Sequence, residues 1–237
     1  MTYEEFCAGI GEYSALWNKG LKKQANKALF AFAEGFKKNV SQNNADELLF
    51  RFCREFYDEG GFPELKEHGC IRLPYQLMGL LHEYLKRECL ADKMPQMRWA
   101  YQLGGRYYNP FDPNLEQDPY DVLKRAYEHP DCDHKTVELY FESQIDDLGF
   151  GAHHFPDGCC IAREVYLEDV KTAERILAEH TLPPEFAEEL EYYKTLYRVY
   201  FDWSDNGGKG DFDELVKAAG IEFSAPKAYY YTSLPRE

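Results

Sequence analysis

"NADELLFRFCREFYDEGG", residues 44–61, is the stretch that decides the fold. Its apolar residues recur at spacings of three and four and share one face of a helix: Leu48, Leu49, Phe52, Cys53, Phe56 and Tyr57. Asn44 or Asp46 is a candidate N-cap, and Gly60 and Gly61 form a stop signal. The stretch therefore predicts an amphipathic helix that must bury one face against a neighbour.

The same spacing continues on both sides of this stretch. It occurs in "ANKALFAFAEGFKKNV" at 25–40 and in "LPYQLMGLLHEYLKRECL" at 73–90. Further helices are predicted at about 95–107, 119–128, 134–148, 162–180, 184–202 and 211–219. No stretch shows the sustained alternation and hairpin turns that are typical of a sheet. We predict an all-α protein of about eight to ten stacked antiparallel helices, arranged as an irregular repeat-like array or a bundle, with no sheet.

The composition is that of a folded, water-soluble protein. The hydrophobic content of 44% with 16% aromatic residues excludes a disordered chain. A mean hydropathy of -0.61, without a long apolar run, excludes a membrane-spanning helix. The opening "MTYEEFCAGIGEY" is acidic where an export signal needs a basic region. The 7 cysteines are scattered along the chain, which is typical of reduced thiols and not of a disulfide framework. We expect a cytoplasmic protein.

The length of 237 residues is enough for one domain with a full core. We expect a single α-helical domain over 1–237, as a monomer or homodimer. It divides by composition into N-terminal helices at 1–93, acidic repeat-like helices at 94–220 and a tail at 221–237.

The net charge of -15 is unevenly distributed along the chain. Residues 112–191 carry 21 Asp and Glu against 6 Lys and Arg, whereas the segments before and after are close to balance. Such a surplus repels nucleic acid and anionic lipid and attracts basic proteins, although it is also compatible with a merely solvated surface. The exception is the lysine-rich segment 19–38, which could contact the acidic segment or an anionic partner.

Residues 99–130, "WAYQLGGRYYNPFDPNLEQDPYDVLKRAYEHP", carry a family resemblance. The segment resembles one tetratricopeptide or Sel1-like repeat through Trp99, Leu103–Gly104, Tyr107, Ala126 and Pro130. It departs from the tetratricopeptide pattern because Trp99 is one residue early and the interhelical loop is about three residues longer. The resemblance implies a helical scaffold that binds proteins or peptides along a concave surface, and it implies no chemistry. The alternative is ordinary helix packing in an irregular bundle.

"GFGAHHFPDGCC", residues 149–160, has the residue types of a zinc or thiol site. A zinc hypothesis combines it with "EHPDCDH" at 128–134 and uses five candidate ligands: His129, Cys132, His134, His153 and Cys159. A thiolate nucleophile at Cys159 or Cys160 is a second hypothesis. The spacing fits no standard zinc motif, and the glycines and proline are typical of turns. We favour an interhelical loop in which Phe155 is buried.

"DWSDNGGKGDFD", residues 202–213, resembles an EF-hand calcium loop. Its candidate ligands are Asp202, Ser204, Asn206 and Asp213. Lys209 departs from the motif, and Asp213 replaces the bidentate glutamate. We favour a glycine-rich connection between helices, with Asp211 capping the last helix. No cofactor is expected.

The leading functional hypothesis is a protein-binding module whose acidic, tyrosine-containing surface engages a basic partner protein. Immunity proteins and antitoxins that mask a basic nuclease work in this way. We expect no nucleic-acid or membrane partner and no catalytic residue. The alternative is a metal-dependent enzyme or regulator centred on the His/Cys cluster. The candidate partner-binding residues are Tyr107, Tyr108, Asp118, Asp121, Asp131, Asp133, Asp146 and Asp147.

Overall fold

The computed structural model describes residues 1–67, 70–71, 73–104 and 118–223. This part of the chain forms ten α-helices, which confirms the all-α class. Their bounds are α1 Tyr3–Asn18, α2 Lys22–Asn39, α3 Gln42–Cys53, α4 Tyr75–Leu90, α5 Gln96–Gly104, α6 Pro119–Glu128, α7 His134–Ala152, α8 Arg163–Glu179, α9 Pro184–Asp205 and α10 Phe212–Ala218. One antiparallel pair of two-residue strands, β1 Lys66–Glu67 and β2 Cys70–Ile71, is too short to form a layer of the fold. No helix in the described ranges is long and apolar enough to cross a membrane.

The chain divides into two compact units, unit 1 Met1–Cys132 and unit 2 Asp133–Glu237. The boundary falls in the short connection between α6 and α7, not at residue 93, where the composition changes. The expected single domain stays a prediction, because two compact units can belong to one domain.

Unit 1 is built around α4, which packs against α2, α3 and α5, while α1 packs on α2 and α6 packs on α5. The aromatic centre is Phe6, whose ring lies 5.6 Å from those of Phe32 and Phe36 and 5.8 Å from that of Phe52. These are the apolar stripes that the helical spacing predicts on α2 and α3. Burying them together supplies the main stabilising contribution of unit 1.

The deciding stretch folds as predicted over most of its length, but both of its ends differ from expectation. The predicted N-cap is wrong, because α3 begins at Gln42 and both Asn44 and Asp46 lie inside it. Asp46 instead accepts a hydrogen bond from the Gln42 side chain and pairs with Arg87 of α4. Beyond Cys53 the helix continues as a π-helical turn, Arg54–Asp58, before the glycine pair ends it.

The π-helical turn places Asp58 beside α5. Arg98 is only 3% exposed, and its two terminal nitrogens donate to the Asp58 carboxylate at 2.6 and 3.2 Å. The Trp99 indole N–H donates to the same carboxylate at 3.0 Å. A buried guanidinium needs such a partner, since an uncompensated charge in the core is strongly destabilising. Asp58 therefore fixes the position of α5.

Helices α5 and α6, which carry the repeat-like pattern, pack on each other. Trp99, Leu103 and Ala126 are buried, whereas Tyr107 lies outside the described residues. Gly104 is the last residue of α5, and a Cβ there would lie 3.6 Å from the Pro119 ring, an ordinary contact. Gly104 is therefore not a position of unusually close helix approach. Membership of a repeat array stays a prediction.

Unit 2 has α7 in contact with α8 and α9, while α9 also contacts α8 and α10. Phe155 is 2% exposed, as predicted, and its ring stacks on that of Tyr200 with centroids 3.9 Å apart. The apolar faces of α7, α8 and α9 supply the rest of the core, including Phe141, Leu148, Ala173, Ile176, Leu196 and Tyr197.

Candidate functional site

The candidate partner-binding residues fall into three groups. Tyr107 and Tyr108 lie outside the described residues. Asp118, Asp121 and Asp131 belong to unit 1, and Asp133, Asp146 and Asp147 belong to unit 2. The surface is therefore considered unit by unit.

Two of these aspartates have a structural role at helix N-termini. Asp118 is the N-cap of α6, where its Oδ1 accepts from the Tyr120 backbone N–H at 2.9 Å. Asp133 is the N-cap of α7, where its Oδ1 accepts from the backbone N–H and the hydroxyl of Thr136 at 2.8 and 2.7 Å. A capping carboxylate satisfies an otherwise unpaired N–H and interacts favourably with the helix dipole. Helix capping therefore accounts for both acids, and no partner protein is needed to explain them.

Asp121 and Asp131 are exposed acids at the α6 end of unit 1. The backbone N–H of Asp131 donates to His129 Nδ1 at 3.0 Å, and the Asp131 side chain is 84% exposed. Arg125 on the same helix pairs with Asp92 at 2.8 Å. The charge in this region is therefore mixed, which makes it a weaker site for a basic protein than unit 2.

Unit 2 holds most of the negative charge. Residues 133–237 carry 22 acidic and 10 basic side chains, whereas residues 1–132 carry 20 and 17. Unit 2 thus accounts for -12 of the net charge of -15. Most of this surplus lies in residues 133–191, within the acidic segment that the composition indicates.

Asp146 and Asp147 are neighbours near the C-terminal end of α7. Burial raises the pKa of each carboxyl, and the charge of Asp146 raises the pKa of Asp147 further. Neither forms an ion pair with a Lys, Arg or His within the part of the chain that the structure describes.

Asp169 on α8 is the acid that sequence reasoning missed. Its side chain is 6% exposed, and its Oδ2 has no hydrogen-bond partner among the described residues. Burial raises its pKa to about 7, with further contributions from Asp147 and Glu168. A buried carboxyl without a compensating partner is costly to ionise, so its charged form is held at an energetic disadvantage.

The spacing on α8 contains the signal that places Asp169 in the core. Tyr166, Asp169, Ala173 and Ile176 follow one another at intervals of three or four, which is the buried face of a helix. Ala173 and Ile176 are fully buried, and Asp169 occupies a core position between them and Tyr166. We call Asp146, Asp147 and Asp169 the acidic seam.

Two tyrosines of α9 pack against α7 at its glycines. An added Cβ at Gly149 would lie 2.9 Å from the Tyr193 hydroxyl, and one at Gly151 only 2.0 Å from the Tyr197 hydroxyl. Tyr197 donates to the Leu148 carbonyl at 2.8 Å. These glycines are therefore close-approach positions within α7, and the expectation that residues 149–152 form a loop is wrong because α9 packs on them.

The same tyrosines connect α9 to the acidic seam. Burial raises the pKa of Tyr193, and Glu189, Tyr192 and Asp146 raise it further. Burial likewise raises the pKa of Tyr197, to which Cys159, Asp169 and Tyr166 contribute. Both phenols stay neutral, so they can donate hydrogen bonds but cannot neutralise the carboxylates.

The zinc candidates are divided between the two units. No group of three or more His, Cys, Asp and Glu side chains in the described ranges is arranged to hold a metal ion. His134 lies 3.4 Å from Glu138, and His153 packs edge-on against the neighbouring His154. The next helix begins at Arg163, beyond Cys159 and Cys160, which lie in the preceding connection. The remaining zinc candidates, His129 and Cys132, belong to unit 1.

The calcium candidates are held in helical conformation. Asp202 and Ser204 lie inside α9, which continues to Asp205, and Asn206 caps it by donating to the Asp202 carbonyl at 2.8 Å. Asp213 lies in the first turn of α10, for which Asp211 is the N-cap as predicted. The backbone of an EF-hand loop is absent from these residues, because the helix extends through the first ligand positions.

Comparison of the chain with protein-family models, curated proteins and solved structures found no match. The functional argument therefore depends on the geometry and charge of the two units.

Proposed function

We propose that unit 2 is a binding module for a basic protein and that Asp146, the exposed member of the acidic seam, lies at the centre of its binding surface. The observation that carries this proposal is the set of three neighbouring carboxyls without an ion-pair partner in the described part of the chain. Elsewhere in unit 2 the structure does pair acids with cations, as in Arg163 with Asp205 and Lys194 with Glu174. The seam differs from these pairs because no Lys, Arg or His in the described part of the chain forms an ion pair with it.

A Lys or Arg of a partner would relieve the repulsion within the seam. Asp146 is exposed and directly accessible, and its charge acts on Asp147, which in turn acts on Asp169. A cation beside Asp146 favours the ionised form of the nearby carboxyls. Its attraction to them is stronger in a closed interface, where the dielectric constant is low. The net charge of unit 2 accelerates the approach of a basic partner from a distance.

An exposed apolar side chain lies on the same face as the seam. Phe150 is 62% exposed and follows Asp146 by four residues on α7, so the two side chains are neighbours on the helix surface. Leu167 of α8 is also 58% exposed, next to Glu168. Aromatic and aliphatic anchors surrounded by polar residues are typical of protein interfaces.

The class of function that fits this surface is a neutraliser or adaptor of a basic protein in the cytoplasm, as immunity proteins and antitoxins are. Occupying a basic surface requires a complementary acidic one and no catalytic group on the binding module. The repeat-like helices α5 and α6 would add a scaffold surface for the same purpose.

Affinity capture from lysate of the native cell tests the proposal. The tagged full chain and two single variants, Asp146→Lys and Asp202→Lys, are compared at low and high salt, and retained proteins are identified by mass spectrometry. Asp202 is the matched control because it is an exposed helical acid of unit 2 with the same charge change. We expect the native chain and the control variant to retain a basic protein at low salt, and we expect the Asp146→Lys variant to lose it. Equal retention by all three chains, or retention unaffected by salt, would contradict the role of the seam.

A further inference from the structure

The turn between α1 and α2 in unit 1 has a composition opposite to that of unit 2. Residues 13–33 contain four lysines and no acidic residue, although the whole chain carries 42 acids. Three large apolar side chains in the same segment are exposed, by 36% at Trp17, 40% at Leu21 and 58% at Phe30. We call this surface the basic tip, and it consists of Trp17, Lys19, Leu21, Lys22, Lys23, Lys27 and Phe30.

Lysines lie beside exposed apolar side chains at two places in this segment. Lys22 Nζ lies 5.1 Å from the centroid of the Trp17 ring, across the turn. Lys23, Lys27 and Phe30 follow at intervals of four and three, so they share the outer face of α2. The opposite face is buried against the core through Ala25, Leu29, Ala33 and Phe36.

The lysines of the basic tip form no ion pair with an acid in the described part of unit 1. Within the described residues none of the four forms an ion pair, whereas Lys37 at the far end of α2 pairs with Glu83 of α4 at 3.2 Å. The tip therefore presents uncompensated positive charge together with apolar side chains that the fold leaves exposed. Both features fit an anionic partner that also accepts apolar groups.

We propose that the basic tip docks on an anionic lipid surface. Lysines beside Trp, Leu and Phe are the composition by which peripheral helices bind membranes, with the apolar groups at the acyl boundary and the ammonium groups at the headgroups. Leu21 cannot stack on a nucleobase, and residues 1–50 contain no arginine, so the surface fits lipid better than single-stranded nucleic acid. This proposal concerns unit 1 and is independent of the partner proposed for unit 2.

The proposal departs from the expectation of no membrane partner, which was based on net charge. At physiological ionic strength charges beyond about 8 Å are largely screened, so a membrane responds to the local charge of the tip more than to the total. The local charge of residues 13–33 is positive even though the chain as a whole is acidic.

Vesicle co-sedimentation of the full chain tests the proposal, with phosphatidylcholine vesicles that either contain or lack phosphatidylserine. The test variant is Lys23→Gln with Lys27→Gln, and the matched control is Lys93→Gln with Lys124→Gln, two exposed lysines elsewhere in unit 1. Each lysine near an anionic surface contributes about fivefold to binding, so the test variant is expected to bind about 25-fold more weakly and the control like the native chain. Phe30→Ser, at an exposed position, should weaken binding without a change of charge.

Three results would overturn the proposal. The first is equal sedimentation with and without phosphatidylserine, or none at all. The second is a control that loses as much binding as the test variant. The third is binding to another partner instead of vesicles, either a single-stranded oligonucleotide or a second copy of the chain, the latter seen as salt-sensitive self-association in analytical ultracentrifugation. Because neither variant touches unit 2, failure here leaves the capture experiment on the acidic seam unaffected.

Discussion

Replacing Asp169 by Asn should stabilise the protein more strongly at alkaline pH than at mildly acidic pH. The Asp169 pKa is raised from its ordinary value of 3.8 to about 7 in the folded chain. Between about pH 4 and pH 7 the folded state keeps a proton on Asp169 that the unfolded state has lost. The free energy of unfolding is therefore highest, with respect to this carboxyl, below about pH 4, and it falls as the pH rises through about 7. Above that pH, a shift of about three units corresponds to a penalty of about 4 kcal/mol.

The groups that face Asp169 fix the sign of this effect. Asp147 on α7 and Glu168 on α8 are both acidic and both raise its pKa, and Tyr197 on α9 is a neutral phenol with a raised pKa of its own. No cation in the described residues forms an ion pair with Asp169. Asn keeps the shape of the side chain and cannot ionise, so it removes the penalty.

Urea denaturation at about pH 5.5 and about pH 8 measures the effect, since the stability difference between variant and native protein should grow by about 2 kcal/mol over this range. Asp202→Asn, at an exposed position of α9, is the control, and its difference from the native protein should be the same at both pH values. A difference for Asp169→Asn that stays constant, or that shrinks as the pH rises, would refute the argument that Asp169 is an unpaired buried carboxyl.

Two further predictions concern packing. Asp58→Asn leaves the buried Arg98 guanidinium without its carboxylate and should lower the free energy of unfolding by about 3–5 kcal/mol in a denaturant titration. Asp46→Asn breaks a partly exposed ion pair and should lower it by less than about 1 kcal/mol in the same titration. Equal costs for the two would contradict the central role of Asp58. Gly151→Ala places a Cβ 2.0 Å from a tyrosine hydroxyl of α9 and should destabilise by about 1–3 kcal/mol in thermal unfolding. Gly35→Ala, in the open interior of α2, should instead stabilise by about 0.5–1 kcal/mol, and a neutral Gly151→Ala would show that α9 does not pack closely there.

The helices were predictable because their apolar residues keep the helical period. The buried faces of α2, α3 and α4 are those that the spacing indicates, since a face that repeats every three or four residues has to be covered by a neighbour. Phe155 and the cap at Asp211 were predictable for local reasons, the first from its hydrophobicity between turn residues and the second from its place before a helix.

The features that sequence reasoning missed depend on contacts between elements distant in the chain. Gly149 and Gly151 have the composition of a turn, but the tyrosines of α9 make them packing positions of α7. The N-cap of α3 differs because the helix begins earlier, at Gln42 after Ser41, so that Asn44 and Asp46 lie inside it. Asp169 is an exception to the rule that core positions are apolar. Its spacing on α8 indicates a buried position, but its charged side chain is typical of an exposed one.

Calorimetry tests the central claim most directly. It measures the affinity of the basic protein that the capture experiment identifies for the native chain, for Asp146→Lys and for Asp202→Lys, at low and high salt. We predict that Asp146→Lys weakens binding at low salt by at least about tenfold, or about 1.4 kcal/mol, because a cation in the partner then faces a lysine. The control should stay within about twofold of the native chain, and salt should reduce the difference between the variants. Equal affinities for all three chains would contradict the claim that the acidic seam is where a basic partner binds.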